Sequence, residues 1–179
     1  LLIPIALSAV LVFIASSIIH MATSWHKNDL KKFPNEDAVA NALRPLNLPV
    51  GNYGIPKPET RQEMQSPEFQ ARFKAGPVAF ITIRPTAFSM GSTLVQWFIY
   101  SLVVSLFAGY IAGVAFGPGT EYLRIFQVAG CVAFTGYGLA QAHESIWWGR
   151  SWSWTIRNMI DSLLYGLLTG GVFGWLWPR

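Results

Sequence analysis

Residues 1–21, LLIPIALSAVLVFIASSIIHM, contain no Asp, Glu, Lys or Arg. A hydrocarbon layer about 30 Å thick is crossed by about 20 apolar helical residues, so this run alone predicts a membrane-spanning helix. Its apolar stretch is longer than the roughly 7–15 residues of a signal-peptide core, and no small-x-small cleavage site follows it. A retained helix is therefore expected, in a chain expected to have lost its initiator and a few residues before Leu1.

Three more segments have the same character: 91–117, 122–148 and 152–177. The expected fold is an all-α membrane protein, a four-transmembrane-helix bundle with a polar insert of about 65 residues (22–90) between helices 1 and 2. Charge follows this division. Of 13 Lys and Arg, nine fall within the insert: Lys27, Lys31, Lys32, Arg44, Lys57, Arg61, Arg72, Lys74 and Arg84. A basic stripe interleaved with exposed aromatics is missing, which argues against nucleic-acid binding.

The insert is too long for a turn and too poor in apolar residues for a core of its own, so it is expected to be membrane-associated, folding its short helices against the membrane face. Within it, NEDAVANALR predicts a helix capped by Asn35, with Glu36 and Asp37 in its first turn and Arg44 near its end. SPEFQARFKAG predicts a second, with Ser66 as cap, Pro67 at the first helical position and Gly76 as stop. The Pro- and Gly-rich RPLNLPVGNYGIPKPE reads as an extended connection, and VAFITIR as a short strand or membrane-surface segment.

Four crossings place both termini on one side and the insert on the other, with the bend at 149–151. Lys27, Lys31, Lys32, Arg84 and Arg150 lie near helix ends on the insert side, against Arg124 and Arg179 opposite. The positive-inside rule then places the insert in the cytoplasm. Trp25, Trp97, Trp147, Trp148, Trp152 and Trp154 fall at the insert face and Trp175 and Trp177 at the other, as interfacial belts do.

The stretch HESIWWGRSWSWTIRNMID carries charge into this apolar setting. The topology gathers His20, Gln96, Gln141, His143, Glu144, Arg157 and Asp161 near one face. Arg157 and Asp161, four residues apart, are expected to pair on one helical face, with His20, Gln141, His143 or Glu144 completing the polar cluster. His20, His143, Glu144 and Asp161 are also the candidate cofactor ligands, for a metal, a quinone headgroup, or a haem held by His20 and His143. Against a metal, adjacent residues such as His143 and Glu144 point about 100° apart on a helix, and no HExxH or ExxH spacing occurs. The expectation is therefore a structural hydrogen-bonded cluster with no metal and no cofactor. His26, in SWHKND, reads as a solvated interfacial residue, and the single cysteine, Cys131, as a buried thiol. GPGTEY is a turn without a phosphate-binding pattern, and no nucleophile elbow or catalytic triad indicates an enzyme.

Small residues recur every four positions at Ser101, Ser105, Gly109, Gly113 and Gly117, and again at Ser162, Gly166, Gly170 and Gly174. Such stripes let two helix backbones approach closely in lipid. They close the bundle internally or present a face to another subunit; the sequence leaves both open.

WHKNDLKKFPNEDAV, MGSTLVQWF and the 34 residues from Ser145, SIWWGRSWSWTIRNMIDSLLYGLLTGGVFGWLWP, together resemble small uncharacterised bacterial inner-membrane proteins with four transmembrane helices. That resemblance implies a multi-pass protein of the bacterial inner (cytoplasmic) membrane and no mechanism. The functional expectation is a non-catalytic accessory subunit, with lipid and other membrane subunits or a second copy as partners, packing against a larger respiratory or photosynthetic complex. The alternative is a metal-, haem- or quinone-binding membrane protein using His20, His143 and Glu144.

Overall fold

The computed structural model describes residues 1–87 and 89–179; Phe88, inside the expected 22–90 insert, lies outside the described residues. The chain is mostly helical and divides into two compact units, Leu1–Lys31 with Ser89–Arg179, and Lys32–Phe88.

The first unit holds the long helices. α1 (Leu2–Ser17) continues into a π-helical turn, Ile18–Ala22. α5 (Met90–Ala115) follows the second unit, which contributes α2 (Glu36–Leu43), α3 (Arg61–Gln65) and α4 (Pro67–Ala75). α6 (Tyr122–Phe134) widens into a second π turn, Thr135–Leu139, and resumes as α7 (Gln141–Trp148). α8 (Trp152–Trp175) starts from Ser151, whose hydroxyl caps Trp154 N–H at 3.3 Å. Gly149 between α7 and α8 has φ +67°, the left-handed conformation that ends a helix and that a side chain disfavours.

Among the described residues, three stretches are long and apolar enough to cross a membrane: Leu2–Ala22, Met90–Ala115 and Tyr122–Trp148. The expected count of four is corrected on this criterion. α8 has the length, at 24 residues, but Arg157, Asn158, Asp161 and four glycines dilute its apolar character.

Small residues set how the helices meet. α8 runs antiparallel to α6 and α7, from Thr155 against Ser145, hydroxyl oxygens 2.6 Å apart, to Gly174 against Tyr122. Between these ends, a Cβ on Gly166 would lie 2.9 Å from the Gly130 carbonyl oxygen, and one on Gly170 2.5 Å from that of Phe126. Backbone therefore touches backbone, the approach small residues permit. In the α5 stripe, Gly109 faces Phe173 and Ile5, Gly113 faces Leu1, and Gly117 faces open space; Ser105 accepts a hydrogen bond from Ser8 at 3.0 Å. Ser162 turns its hydroxyl to the Asn158 carbonyl at 2.6 Å while its Cβ abuts Gly138.

Two buried clusters complete the unit. One joins Ala108, Ala112, Ile125, Ala129, Phe173 and Trp177; the other joins Val12, Val104, Ala133, Tyr137 and Tyr165. Trp177, expected in an interfacial belt, is instead buried and donates to the Gly117 carbonyl at 3.0 Å. Cys131, expected buried, is exposed on the outer surface of α6.

In the second unit, Asn35 caps α2 (Glu36–Leu43) and Ser66 caps α4 (Pro67–Ala75), which stops at Gly76 with φ +66°. α3 (Arg61–Gln65) precedes α4. VAFITIR supplies β2 (Ala79–Ile83), antiparallel to β1 (Gly51–Ile55). β1 corrects the reading of the Pro- and Gly-rich stretch as connection only: its central GNYGI finds a partner strand far along the chain, which local composition does not reveal.

The glycine contacts give a paired prediction. Gly170→Ala should destabilise the detergent-solubilised protein by about 1–3 kcal/mol, the range for an overpacked core. Gly117→Ala should change stability by less than about 0.5 kcal/mol. Thermal unfolding followed by circular dichroism measures both; equal effects would show that the close approach at Phe126 is not limiting.

Candidate functional site

The bundle's buried charges meet where α1 ends. The π turn carries His20, whose Nδ1 lies 3.0 Å from the Ser16 carbonyl oxygen and so is the protonated ring nitrogen. Beyond it the chain turns tightly. Thr23 donates to Ile19 O at 2.5 Å and accepts from Trp25 N–H, while Lys27 N–H reaches Ser24 O and Asp29 N–H reaches His26 O. These turns fold His26 back over His20, with ring centroids 4.2 Å apart and planes 9° from parallel.

Both nitrogens of His26 meet carboxylates. Nδ1 lies 2.6 Å from Asp29 Oδ2, and Nε2 lies 2.7 Å from Asp161 Oδ2. Carboxylates only accept, so the ring that satisfies both contacts is the imidazolium. The other Asp29 oxygen, Oδ1, accepts from Arg157 through Nε at 2.9 Å and through a terminal guanidinium nitrogen. The result is a chain of alternating charge: Arg157, Asp29, His26, Asp161. It is largely out of water, with Asp161 5% exposed and the His26 and Asp29 side chains 12% each.

Burial alone would raise the Asp29 carboxyl, but the hydrogen bonds and charges of His26 and Arg157 outweigh it. They hold the group below its ordinary value of 3.8.

The expected Arg157–Asp161 pair is corrected. Arg157 binds Asp29 and Asp161 binds His26, because the loop after α1 brings a carboxylate that meets two guanidinium donors and an imidazole that meets Asp161. His143 is corrected too: its side chain is 60% exposed, 3.8 Å from Glu144 Oε1, and it does not join Arg157 or Asp161. Glu144 lies 3.9 Å from Arg150 Nε instead. Gln141 bonds back to Tyr137 O in the π turn before α7, and Gln96 to Ser92 Oγ within α5. Of the four candidate ligands, the structure brings together His20 and Asp161 and leaves His143 and Glu144 outside.

His26 and Asp29 are the residues the sequence reading missed; it had His26 solvated. The available signal was the demand side: a half-buried Arg and a buried Asp on α8 need counterions, and the nearest polar segment beyond a helix end is WHKND.

His20, His26 and Asp161 each offer one ligand atom, all within 4.8 Å of one another. Two imidazoles and a carboxylate form a donor set that suits borderline divalent transition metals.

The network predicts an order of mutational costs. Asp161→Leu, which leaves His26 Nε2 without an acceptor, should destabilise by about 3 kcal/mol; Asp161→Asn keeps an acceptor oxygen and should cost about 1 kcal/mol. Because the folded Asp29 carboxyl titrates below its unfolded value, its contribution is complete above about pH 3.8 and is lost as pH falls through the folded value. Wild type should therefore exceed Asp29→Asn in melting temperature at pH 6, with the gap closing at lower pH. A gap independent of pH would rule out that linkage.

No family model, curated protein or solved structure matches this chain.

Proposed function

We propose that the chain is a non-catalytic, four-crossing subunit of the bacterial inner membrane that presents its cytoplasmic insert to a larger membrane protein complex. The observation that carries this reading is the insert's apolar surface. Among its described residues Phe69 is buried, while Leu46, Val50, Phe73, Val78 and Phe80 are exposed. A two-stranded sheet with short helices is marginal alone, and a docked partner would take these apolar side chains out of water.

The stem supports the same reading. The insert emerges from residues 23–31, whose His26 and Asp29 are tied to α8 by ionic hydrogen bonds. Fixing residues 23–31 in advance lowers the entropy lost in that stretch on docking. The small-residue stripes, in contrast, are largely used within the bundle, so the partner surface is assigned to the insert and not to them.

The fourth crossing rests on α8 running the length of α6 and α7 in antiparallel contact. A helix packed end to end along a spanning hairpin partner returns through the same layer. The cytoplasmic placement rests on Lys27, Lys31, Lys32, Arg84 and Arg150.

Two measurements test these claims. In native membranes solubilised in mild detergent, the protein should migrate well above the mass of one chain, and a photo-crosslinker at Phe73 should capture a protein partner. A lone monomer whose Phe73 crosslinks only to lipid would overturn the subunit reading. On a Cys131→Ser background, a membrane-impermeant maleimide applied to intact spheroplasts should label Arg179→Cys and spare Arg150→Cys. Labelling of neither or of both would remove the fourth crossing.

A further inference from the structure

We propose that His20, His26 and Asp161 bind a divalent transition-metal ion of the zinc class, with an open coordination position. The proposal is independent of any protein partner.

The argument begins with the second nitrogen of each imidazole. Metal-binding histidines present one nitrogen to the ion and donate the other N–H to a carbonyl or carboxylate, which fixes ring and tautomer. Both histidines here have that outer contact on the same atom. His20 Nδ1 donates to the Ser16 carbonyl at 3.0 Å, and His26 Nδ1 to Asp29 Oδ2 at 2.6 Å. This leaves the Nε2 of each ring as the ligand atom. His26 Nε2 already lies 2.7 Å from Asp161 Oδ2. Asp29 is itself held by Arg157, so the outer contact of His26 has a support of its own.

Accommodating an ion requires two local movements. The three donor atoms span up to 4.8 Å, whereas ligands about 2.0–2.1 Å from a tetrahedral ion lie about 3.3 Å apart. His20 must turn out of its stack on His26 to close the difference, and His26 Nε2 and Asp161 Oδ2, now 2.7 Å apart, must part to admit the ion between them. His20 sits in a π turn, a helical irregularity often found at functional sites, and on the exposed side of the network, where it is free to move. Binding displaces the proton from His26 Nε2 to solvent, and the ion takes over the cationic role of the imidazolium between the carboxylates. The Arg157–Asp29 pair stays neutral behind it. Three protein ligands with a water in the fourth position is the arrangement of an exchangeable or reactive zinc site and not of a closed structural one.

The test uses the full chain in detergent, without a histidine tag, on a Cys131→Ser background to remove the exposed thiol. After chelator treatment, Zn2+ titration against a chromophoric competitor should give one ion per chain. His20→Ala and Asp161→Asn should each weaken binding by at least about 100-fold, and Asp29→Asn by about 10–100-fold, the range for outer-contact losses. His143→Ala, outside the site, should leave it unchanged. Co2+ should give the intense visible band of four-coordination; a weak six-coordinate band would overturn the zinc-class assignment. Should a variant misfold, histidine 15N NMR of the unsubstituted site decides. Zn2+ should shift Nε2 of His20 and His26 together, whereas a shift of His143 alone, or substoichiometric uptake, would overturn the proposal.

Discussion

The carboxylate of Asp29 joins two cations that neither α8 nor the loop after α1 could keep from water alone. Arg157 reaches it from one side and His26 from the other, and His26 passes the charge on to Asp161. Each group is costly to desolvate singly, by several kcal/mol for an ion. Together they alternate in sign and satisfy one another's hydrogen bonds. The net gain from such a chain is small, because attraction is offset by desolvation; the loss on removing one member is large, because the remainder stays buried and unpaired. The network therefore acts as a register device. It allows one placement of the loop on α8.

That placement depends on the helices meeting at a fixed depth, and lipid supplies no hydrophobic preference for it. Backbone contact does so instead. With Gly166 and Gly170 against Gly130 and Phe126, α8 can slide along α6 only by forcing carbonyl oxygens into Cα atoms. On the other flank, the Ser8 hydroxyl bonds Ser105 and the Trp97 indole N–H bonds Ser16 at 2.7 Å, so α1 is pinned to α5. His20 is one turn beyond Ser16. The level of the imidazole stack is thus set by the same residues that pack the bundle.

How much of this the sequence discloses depends on whether a feature is local. The uncharged run at 1–21, the caps at Asn35 and Ser66 and the stop at Gly76 are read from neighbours in the chain, and the structure places helices and caps there. The pairing of GNYGI with AFITI spans about thirty residues and leaves no local trace. The site divides in the same way. Arg157 and Asp161 announce themselves as charges in an apolar segment, yet an i,i+4 spacing suggested that they serve each other. Nothing in SWHKND indicates that a turn held by Thr23 and Ser24 folds His26 inward. Conversely, His143 and Glu144 look promising beside Trp147 and Trp148 but point outward from α7.

The hydropathy of α8 is low for the same reason that the helix organises its neighbours. Its buried positions are Thr155, Asp161, Ser162, Tyr165, Gly166, Thr169, Gly170, Val172 and Phe173, most of them small or polar. Its exposed positions include Ile156, Ile160, Leu163, Leu164 and Leu167. A helix on the surface of a water-soluble protein has the opposite arrangement, with its apolar stripe turned to the core. An average over 18 residues adds the two faces together and loses this distinction. Facing outward, the Ile and Leu side chains would meet solvent in water and acyl chains in a bilayer, and only the second environment favours them. The inward polar face, bonded at Thr155 to α7 and at Arg157 and Asp161 to the loop after α1, needs no lipid. The direction in which α8 turns its apolar residues, more than their number, is what supports the proposed fourth crossing.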